Sequence, residues 1–473
     1  MTQLEELLAG WIPRQRWFAG KGIPIDELTV ESQHVLITGL PGLRILVVAV
    51  SQEGAADRYQ VLLGLRPAGT LGADLAHAEI GTAEVDTAAG AKPQWCALYD
   101  AAHDPELTAE ILERLAGSTP NGASANAVRF RRLPETTIRT GLRSLVLSGE
   151  QSNTSLVYGE DYVLKVFRRL WPGHNPDLEL TAALTGSPFV ARVHGWLEVD
   201  LTDEHTATPV PTTLAMLQEF LRSATDGWVL AGTSVRDLYE MPDTAPGDAG
   251  GDFAGESERL GSATASVHRE LARALPTDLL GPGAVTELAE SMVERLHSAA
   301  DQVGELKPYT ARLRAAFDAF AELEEPLPVQ RVHGDYHLGQ VVRTDAGWVL
   351  LDFEGEPAVP VAQRQRLSSP LRDVAGMLRS FDYAARYQLV EHPRAEELTG
   401  TARAWARRSR DAFCAGYAAA GGIDPEKHLT VLRAFEYDKA VYEVLYEARH
   451  RPSWLRIPLD SIAALAGGTP STQ

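Results

Sequence analysis

Apolar and polar positions along the first part of the chain follow a strand-like pattern. Residues 30–37, 43–50 and 58–65 are short β-rich stretches separated by Gly and Pro signals. Between 116 and 127 the chain turns to Gly, Ser, Asn, Pro and Ala, which predicts a loop. Three more strands are expected at 144–147, 154–158 and 162–167, with Gly159-Glu160-Asp161 turning the last two into a hairpin, and a fourth at 214–220. The segment 241–255, MPDTAPGDAGGDFAG, predicts a mobile surface loop. Beyond it the apolar period becomes helical, at 258–275, 288–303, 309–324, 401–420 and 429–446. A β-rich front joined near residue 220 to a helical back predicts an α+β chain of two lobes. No repeat of solenoid length interrupts that order.

The 473 residues exceed one ordinary hydrophobic core, so two or three packed units are expected. A content of 44% hydrophobic and 23% charged residues is that of a globular protein. With 44 basic and 64 acidic side chains the formal charge is −20, a field that repels a phosphate polymer, so no nucleic-acid partner is expected. A single nucleotide needs only a local nest of donors. The longest apolar run near the start, 45–50, is too short to span a bilayer, and no membrane association or signal peptide is expected. Cys96 and Cys414 lack the spacing of a disulfide framework or a metal site, so a cytoplasmic location is expected.

The strongest chemical signal is Val332-His333-Gly334-Asp335-Tyr336-His337-Leu338-Gly339-Gln340, followed by an apolar strand into Asp352-Phe353-Glu354. Kinase catalytic loops place an amide five residues after the aspartate, and a second, metal-binding aspartate follows a later strand. Asp335 is therefore the candidate base for an attacking hydroxyl. Gln340 and Asp352 are candidate oxygen ligands for Mg²⁺, which prefers hard donors. Either aspartate alone would be read as a turn residue; the joint spacing is what points to phosphoryl transfer. Glu354 and Gly334 depart from the protein-kinase pattern and point to small-molecule acceptors.

Such chemistry needs a nucleotide site. Ser148, Gly149, Ser152 and Asn153 lie in a small-residue turn between two strands, where backbone N–H groups could cover phosphates. Lys165 sits inside an apolar strand, where a lysine is rarely buried without a partner. Asn175-Pro176 opens a helix with Asp177 and Glu179 in its first turn. Glu179 is the first choice to pair with Lys165, Asp177 the reserve, and a solvent-exposed edge lysine is the plain alternative. Gln218, Glu219 and Phe220 form the expected hinge that meets adenine through backbone groups.

Two further segments are distinctive. Arg14-Gln15-Arg16-Trp17-Phe18-Ala19-Gly20-Lys21-Gly22 mixes basic and aromatic residues; a packed N-terminal anchor is the favoured reading over a binding motif. Near the C-terminus, Lys439, Tyr442, Glu443 and Tyr446 fall at i, i+3, i+4 and i+7, one helix face. Tyrosine rings suit sugar C–H faces and the charges suit hydroxyls, although a structural face pairing Lys439 with Glu443 gives the same spacing.

RQRWFAGKG, HGDYHLGQ with LDFEGEP, and EYDKAVYEVLYE running into RPSWL together resemble the actinobacterial maltokinases, relatives of aminoglycoside and choline kinases. The resemblance implies a two-lobed protein-kinase-like fold with an extra N-terminal cap unit (residues 1–90), a β-rich N-lobe (91–220) and a helical C-lobe (221–473). It implies ATP and Mg²⁺ as cofactors, maltose as acceptor and maltose 1-phosphate as product for α-glucan synthesis. Asp335, Gln340 and Asp352 match the family's catalytic and metal positions. His337, Tyr383, Lys439, Tyr442, Glu443 and Tyr446 become candidate sugar contacts, Asp373 a buried brace for the catalytic loop, and trehalose synthase a candidate partner. Two rivals stand beside this reading: an amino-sugar or antibiotic kinase, against which Lys439 would repel an ammonium group, and a non-catalytic pseudokinase.

Overall fold

A computed structural model describes residues 1–87, 92–118, 128–147, 152–203, 206–241, 243–356, 359 and 361–465. The chain divides into two compact units, residues 1–179 with 192–222, and residues 180–191 with 223–473. Each described helix is too short or too polar to cross a membrane.

The first unit holds two antiparallel sheets. In one, strands Glu27–Ile37, Gly42–Gln52, Ala55–Pro67, Gln94–Asp100 and Glu79–Val85 lie side by side in that order. The three strands expected here all form, and the sheet continues past residue 90 to Asp100. Helix Gln3–Trp11, started by a capping box between Thr2 and Glu5, adds Leu8 and Trp11 to a core with Leu46, Val48, Val61 and Leu63. Trp17 and Phe18 are buried there, their rings 5.7 and 5.2 Å from that of Tyr59. RQRWFAGKG is thus a packed anchor, because two large aromatics on a basic segment gain most by burying their rings and leaving the charges outside.

The second sheet runs Arg129–Arg132, Val193–Thr202, Pro209–Glu219, Tyr162–Phe167, Asn153–Tyr158 and Ser144–Val146. Directly after Phe167 the chain enters the first sheet: the two-residue strand Arg169–Leu170 pairs with Ala55–Pro67, Arg169 opposite Tyr59. Arg168, at the crossing, is 1% exposed. It donates to Thr154 Oγ1 (2.8 Å) and Asp100 Oδ2 (2.6 Å), and its guanidinium lies 5.2 Å from the Trp17 ring. Helix Pro105–Gly117 was not expected; most of the predicted loop at 116–127 lies outside the described residues.

The second unit is helical, as the period change predicts, with Ala254–Ala274, Pro282–Gln302, Thr310–Ala321, Ala395–Ala419 and Leu429–His450 at the five expected places. At its centre helix Leu371–Arg386 is buried along nearly its whole length, including Asp373, Arg379, Asp382 and Arg386. Those charges are tolerated because they are paired: Arg379 with Asp382, and Asp382 with Arg386 and Arg410. The segment expected to be a mobile loop is irregular but tied down. Phe253 is buried with its ring stacked 5.7 Å from Trp405, and Asp252 is 2.6 Å from Arg408.

Candidate active site

In the second unit, strands Val341–Arg343 and Trp348–Leu350 form a hairpin with Val341 opposite Leu350. The loop before it carries His333-Gly334-Asp335, and the segment after it carries Asp352. Asp373 holds the loop: its carboxylate accepts the N–H groups of His333 (2.7 Å) and Gly334 (2.9 Å). His268 Nε2 lies 3.0 Å from the same carboxylate. Burial works to raise the Asp373 carboxyl's pKa, but the His268 ring and these donors outweigh it and hold it below the usual range. The brace read from sequence is in place. His333 Nε2 lies 2.8 Å from the Leu351 carbonyl, tying the loop to the segment that delivers Asp352. Asp352 itself sits at φ +62°, a left-handed backbone that a non-glycine residue adopts at a cost, as functional positions often do. Gln340 Nε2 is 3.3 Å from Asp352 Oδ2, so an amide and a carboxylate stand side by side. That pair of oxygen-bearing groups fits a Mg²⁺ ion once the amide turns its oxygen inward.

Asp335 does not stand alone. Lys439, from helix Leu429–His450, places Nζ 3.2 Å from Asp335 Oδ1 and 2.6 Å from Glu356 Oε1. Burial pushes the Asp335 carboxyl up, yet the Lys439 ammonium, with help from His337, wins and keeps it below the usual carboxylate range. Lys439 is shifted the other way: burial disfavours its charge, but Asp335 and Glu356 hold it firmly protonated. Burial also lowers the His337 pKa.

Two cavities flank Lys439, and both are lined by Gly376, Lys439 and Tyr442. One, of about 600 Å³, contains Asp335 and Glu356. The other, of about 360 Å³, is lined by all six candidate sugar contacts, His337, Tyr383, Lys439, Tyr442, Glu443 and Tyr446, with Trp228, Glu447 and Trp454. The structure therefore brings the helical face and the catalytic-loop histidine into one room. Lys439 does not pair with Glu443: Arg379 holds Glu443 at 2.6 Å, and Lys439 faces the acids of the two loops. Glu447, 1% exposed, is paired with Arg451 at 2.6 Å and accepts the Tyr383 hydroxyl at 3.2 Å. Sequence reasoning assigned no role to Glu356, Glu447 or Trp228. Glu447 had a signal, since it continues the helix face of Lys439 and Glu443 by one more turn.

The nucleotide candidates lie in the first unit. Lys165 is buried in strand Tyr162–Phe167, and its ion pair is with Asp177 at 2.8 Å. Asp177, the reserve choice for that partner, is held in place locally. The Asn175 side chain accepts the Asp177 N–H at 2.8 Å and fixes Asp177 at the helix start. Glu179 stands two residues further on, where its N–H begins the helix ladder onto the Asn175 carbonyl at 3.0 Å. Asn153 is buried at the start of its strand and Ser152 is exposed just before it, while Ser148 and Gly149 lie outside the described residues. Gln218 pairs with Val163 in the sheet. The N–H groups of Glu219 and Phe220 already donate to the carbonyls of Arg192 (2.8 Å) and Asp161 (2.9 Å), so the expected hinge loses those two donors to the fold.

The family model of the maltokinase N-terminal cap domain matches residues 11–104, and that of the phosphotransferase enzyme family matches residues 145–429. A glucosamine kinase of Streptacidiphilus jiangxiensis is 31% identical over 371 residues, 74% of this chain and 78% of that protein. A glucosamine kinase of Mycolicibacterium smegmatis is 28% identical over 332 residues, 68% of this chain and 79% of that protein. The fold is similar to that of a glucosamine kinase solved in complex with glucosamine, ADP and inorganic phosphate, with a TM-score of 0.67 at 24% identity over 98% of this chain and 99% of that one.

Proposed function

This chain belongs to the phosphotransferase enzyme family and carries the maltokinase N-terminal cap domain, and from that premise we propose that it transfers the γ-phosphoryl group of ATP to the anomeric hydroxyl of maltose. The observation that carries the acceptor half is the charge state of the aromatic cavity. Both carboxylates that line it are paired with arginines, Glu443 with Arg379 and Glu447 with Arg451, and the ammonium of Lys439 points at Asp335 and Glu356. A cationic sugar entering there finds both lining acids already paired. A neutral sugar meets the rings of Trp228, Tyr383, Tyr442, Tyr446 and Trp454, which suit its C–H faces, and charged groups that suit its hydroxyls.

In this reading the acceptor oxygen bonds to the γ-phosphorus and the bond from that phosphorus to the bridging oxygen breaks, its electron pair leaving on ADP. The hydroxyl proton passes to the Asp335 carboxylate. A loose transition state asks little basicity of that carboxylate and much positioning, which matches a base held below its usual pKa on a braced loop. Gln340 and Asp352 would hold Mg²⁺, whose chemistry is to offset charge on the phosphates. Lys165, fixed by Asp177, is the candidate phosphate lysine.

A second reading, glucosamine as acceptor, is favoured by the names of the relatives. Steady-state assays with ATP and each sugar separate the two. We expect kcat/KM for maltose to exceed that for glucosamine by at least about tenfold, the worth of one misplaced charge near 1.4 kcal/mol. The reverse order rejects maltose and leaves the phosphotransferase standing.

A further inference from the structure

Gly334 and Gly355 both have left-handed backbones, φ +84° and +73°, and each is followed directly by an acid, Asp335 and Glu356. The two glycines are close neighbours: a Cβ on Gly334 would stand 3.4 Å from the Gly355 Cα, and a Cβ on Gly355 would meet the Arg364 side chain at 3.3 Å. Two sharp turns, back to back, thus present two carboxylates to one ammonium. The ammonium is shared unequally, at 2.6 Å from Glu356 and 3.2 Å from Asp335. Charge-assisted N–H···O bonds have their best lengths at about 2.7–2.9 Å. Lys439 therefore belongs chiefly to Glu356 and only leans on Asp335. The other groups around the lysine are Glu443, one turn along the same helix, and the Tyr442 ring, 4.9 Å away; His333 and His337 lie around Asp335.

We propose that Glu356 is a positioning residue: its carboxylate holds the Lys439 ammonium and so leaves Asp335 available to take the proton of the acceptor hydroxyl. Without the Glu356 charge, Asp335 is the nearer of the remaining acids that face this ammonium, and the lysine closes onto it. A full ion pair occupies the oxygen that should face the acceptor and lowers its affinity for a proton. Glu356 touches neither end of the proton transfer; it acts through Lys439.

The proposal rests on the reading of Asp335 as base, and the two fail separately, because wild-type turnover tests that reading and the ratio of variants tests this one. kcat and the KM for ATP are measured on the full chain at saturating maltose, or glucosamine if that is the sugar accepted. Glu356→Gln should lower kcat by about tenfold or more while the KM for ATP stays within about twofold. Adding Lys439→Met should then raise kcat again, to at least about threefold above the single variant, since the two residues act as a coupled pair. A merely structural glutamate gives no such recovery. If Glu356→Gln does not fold, Glu356→Asp, which keeps the charge but shortens the reach, serves as the background, and Lys439→Met should relieve its lower kcat likewise. An unchanged kcat in the glutamate variant, or a double variant no faster than the single, overturns the proposal; a wild type that phosphorylates neither sugar overturns it together with the reading beneath it.

Discussion

At the residue scale the site turns on one lysine placed between two acids. Lys439 has two roles in this account, a donor to the sugar and a neighbour to the base, and they separate experimentally. A hydrogen bond from a charged group contributes on the order of 1.5–3 kcal/mol, so Lys439→Ala should raise the KM for the sugar by roughly ten- to a hundredfold and leave the KM for ATP nearly unmoved. The pH profile should also change, and in one direction. Burial raises the Asp335 pKa and Lys439 lowers it, so removing the lysine leaves burial unopposed and the carboxylate takes up its proton at higher pH. The acidic limb of kcat/KM, below the usual carboxylate range of about 4 in the wild type, should therefore move toward neutral in the variant. A limb that stays put, or a KM for ATP that rises with that for sugar, would assign Lys439 to structure. Asp335, Gln340 and Asp352 were legible in the sequence because their relation is local, a fixed interval and a strand. Glu356 was not, since its meaning depends on a lysine 83 positions away in the chain. Lys165 and the helix that carries its partner Asp177 were legible too.

At the element scale, two-residue and polar-rich pieces carry the joints. The strand Arg169–Leu170 has no sequence signature, yet it passes the chain from the sheet of Lys165 into the sheet of the cap domain. The helix Leu371–Arg386 keeps its charges buried because they pair with one another and with neighbouring helices. By contrast the face of Lys439, Tyr442, Glu443 and Tyr446 follows from spacing alone, which is why it could be read in advance. The joint at Arg168 gives a stability test. Its pair with Asp100 is almost wholly buried, at 1% and 4% exposure, whereas the neighbouring Arg169–Asp57 pair is 30% exposed on each side. Arg168→Met leaves a buried carboxylate without its cation and should cost about 3–5 kcal/mol. Arg169→Met should cost no more than about 1 kcal/mol. Urea unfolding followed by tryptophan fluorescence compares them, and equal losses would mean that Arg168 does not bind the sheets together.

On the scale of the whole molecule, the chain divides into two compact units, the first holding both sheets. The physical reason is that the two sheets share buried polar partners: Gln60, in the first, donates to the Leu214 carbonyl of the second at 3.0 Å, and its N–H donates to the Arg168 carbonyl at 2.7 Å. Such long-range bonds leave no trace in composition, which marks only the loop that follows. The net charge of −20 and the family membership fit a protein that handles a nucleotide one molecule at a time. The central claim, that this chain moves the γ-phosphoryl group of ATP to the anomeric oxygen of a neutral sugar, is tested most directly by the product itself. Full-length protein, ATP, Mg²⁺ and maltose are incubated, and the sugar phosphate is examined by phosphorus and proton NMR. The account predicts phosphorus coupled to the anomeric proton and loss of reducing-sugar reactivity in step with ADP release. Phosphate on another carbon, or ADP release with no sugar phosphate formed, would contradict it.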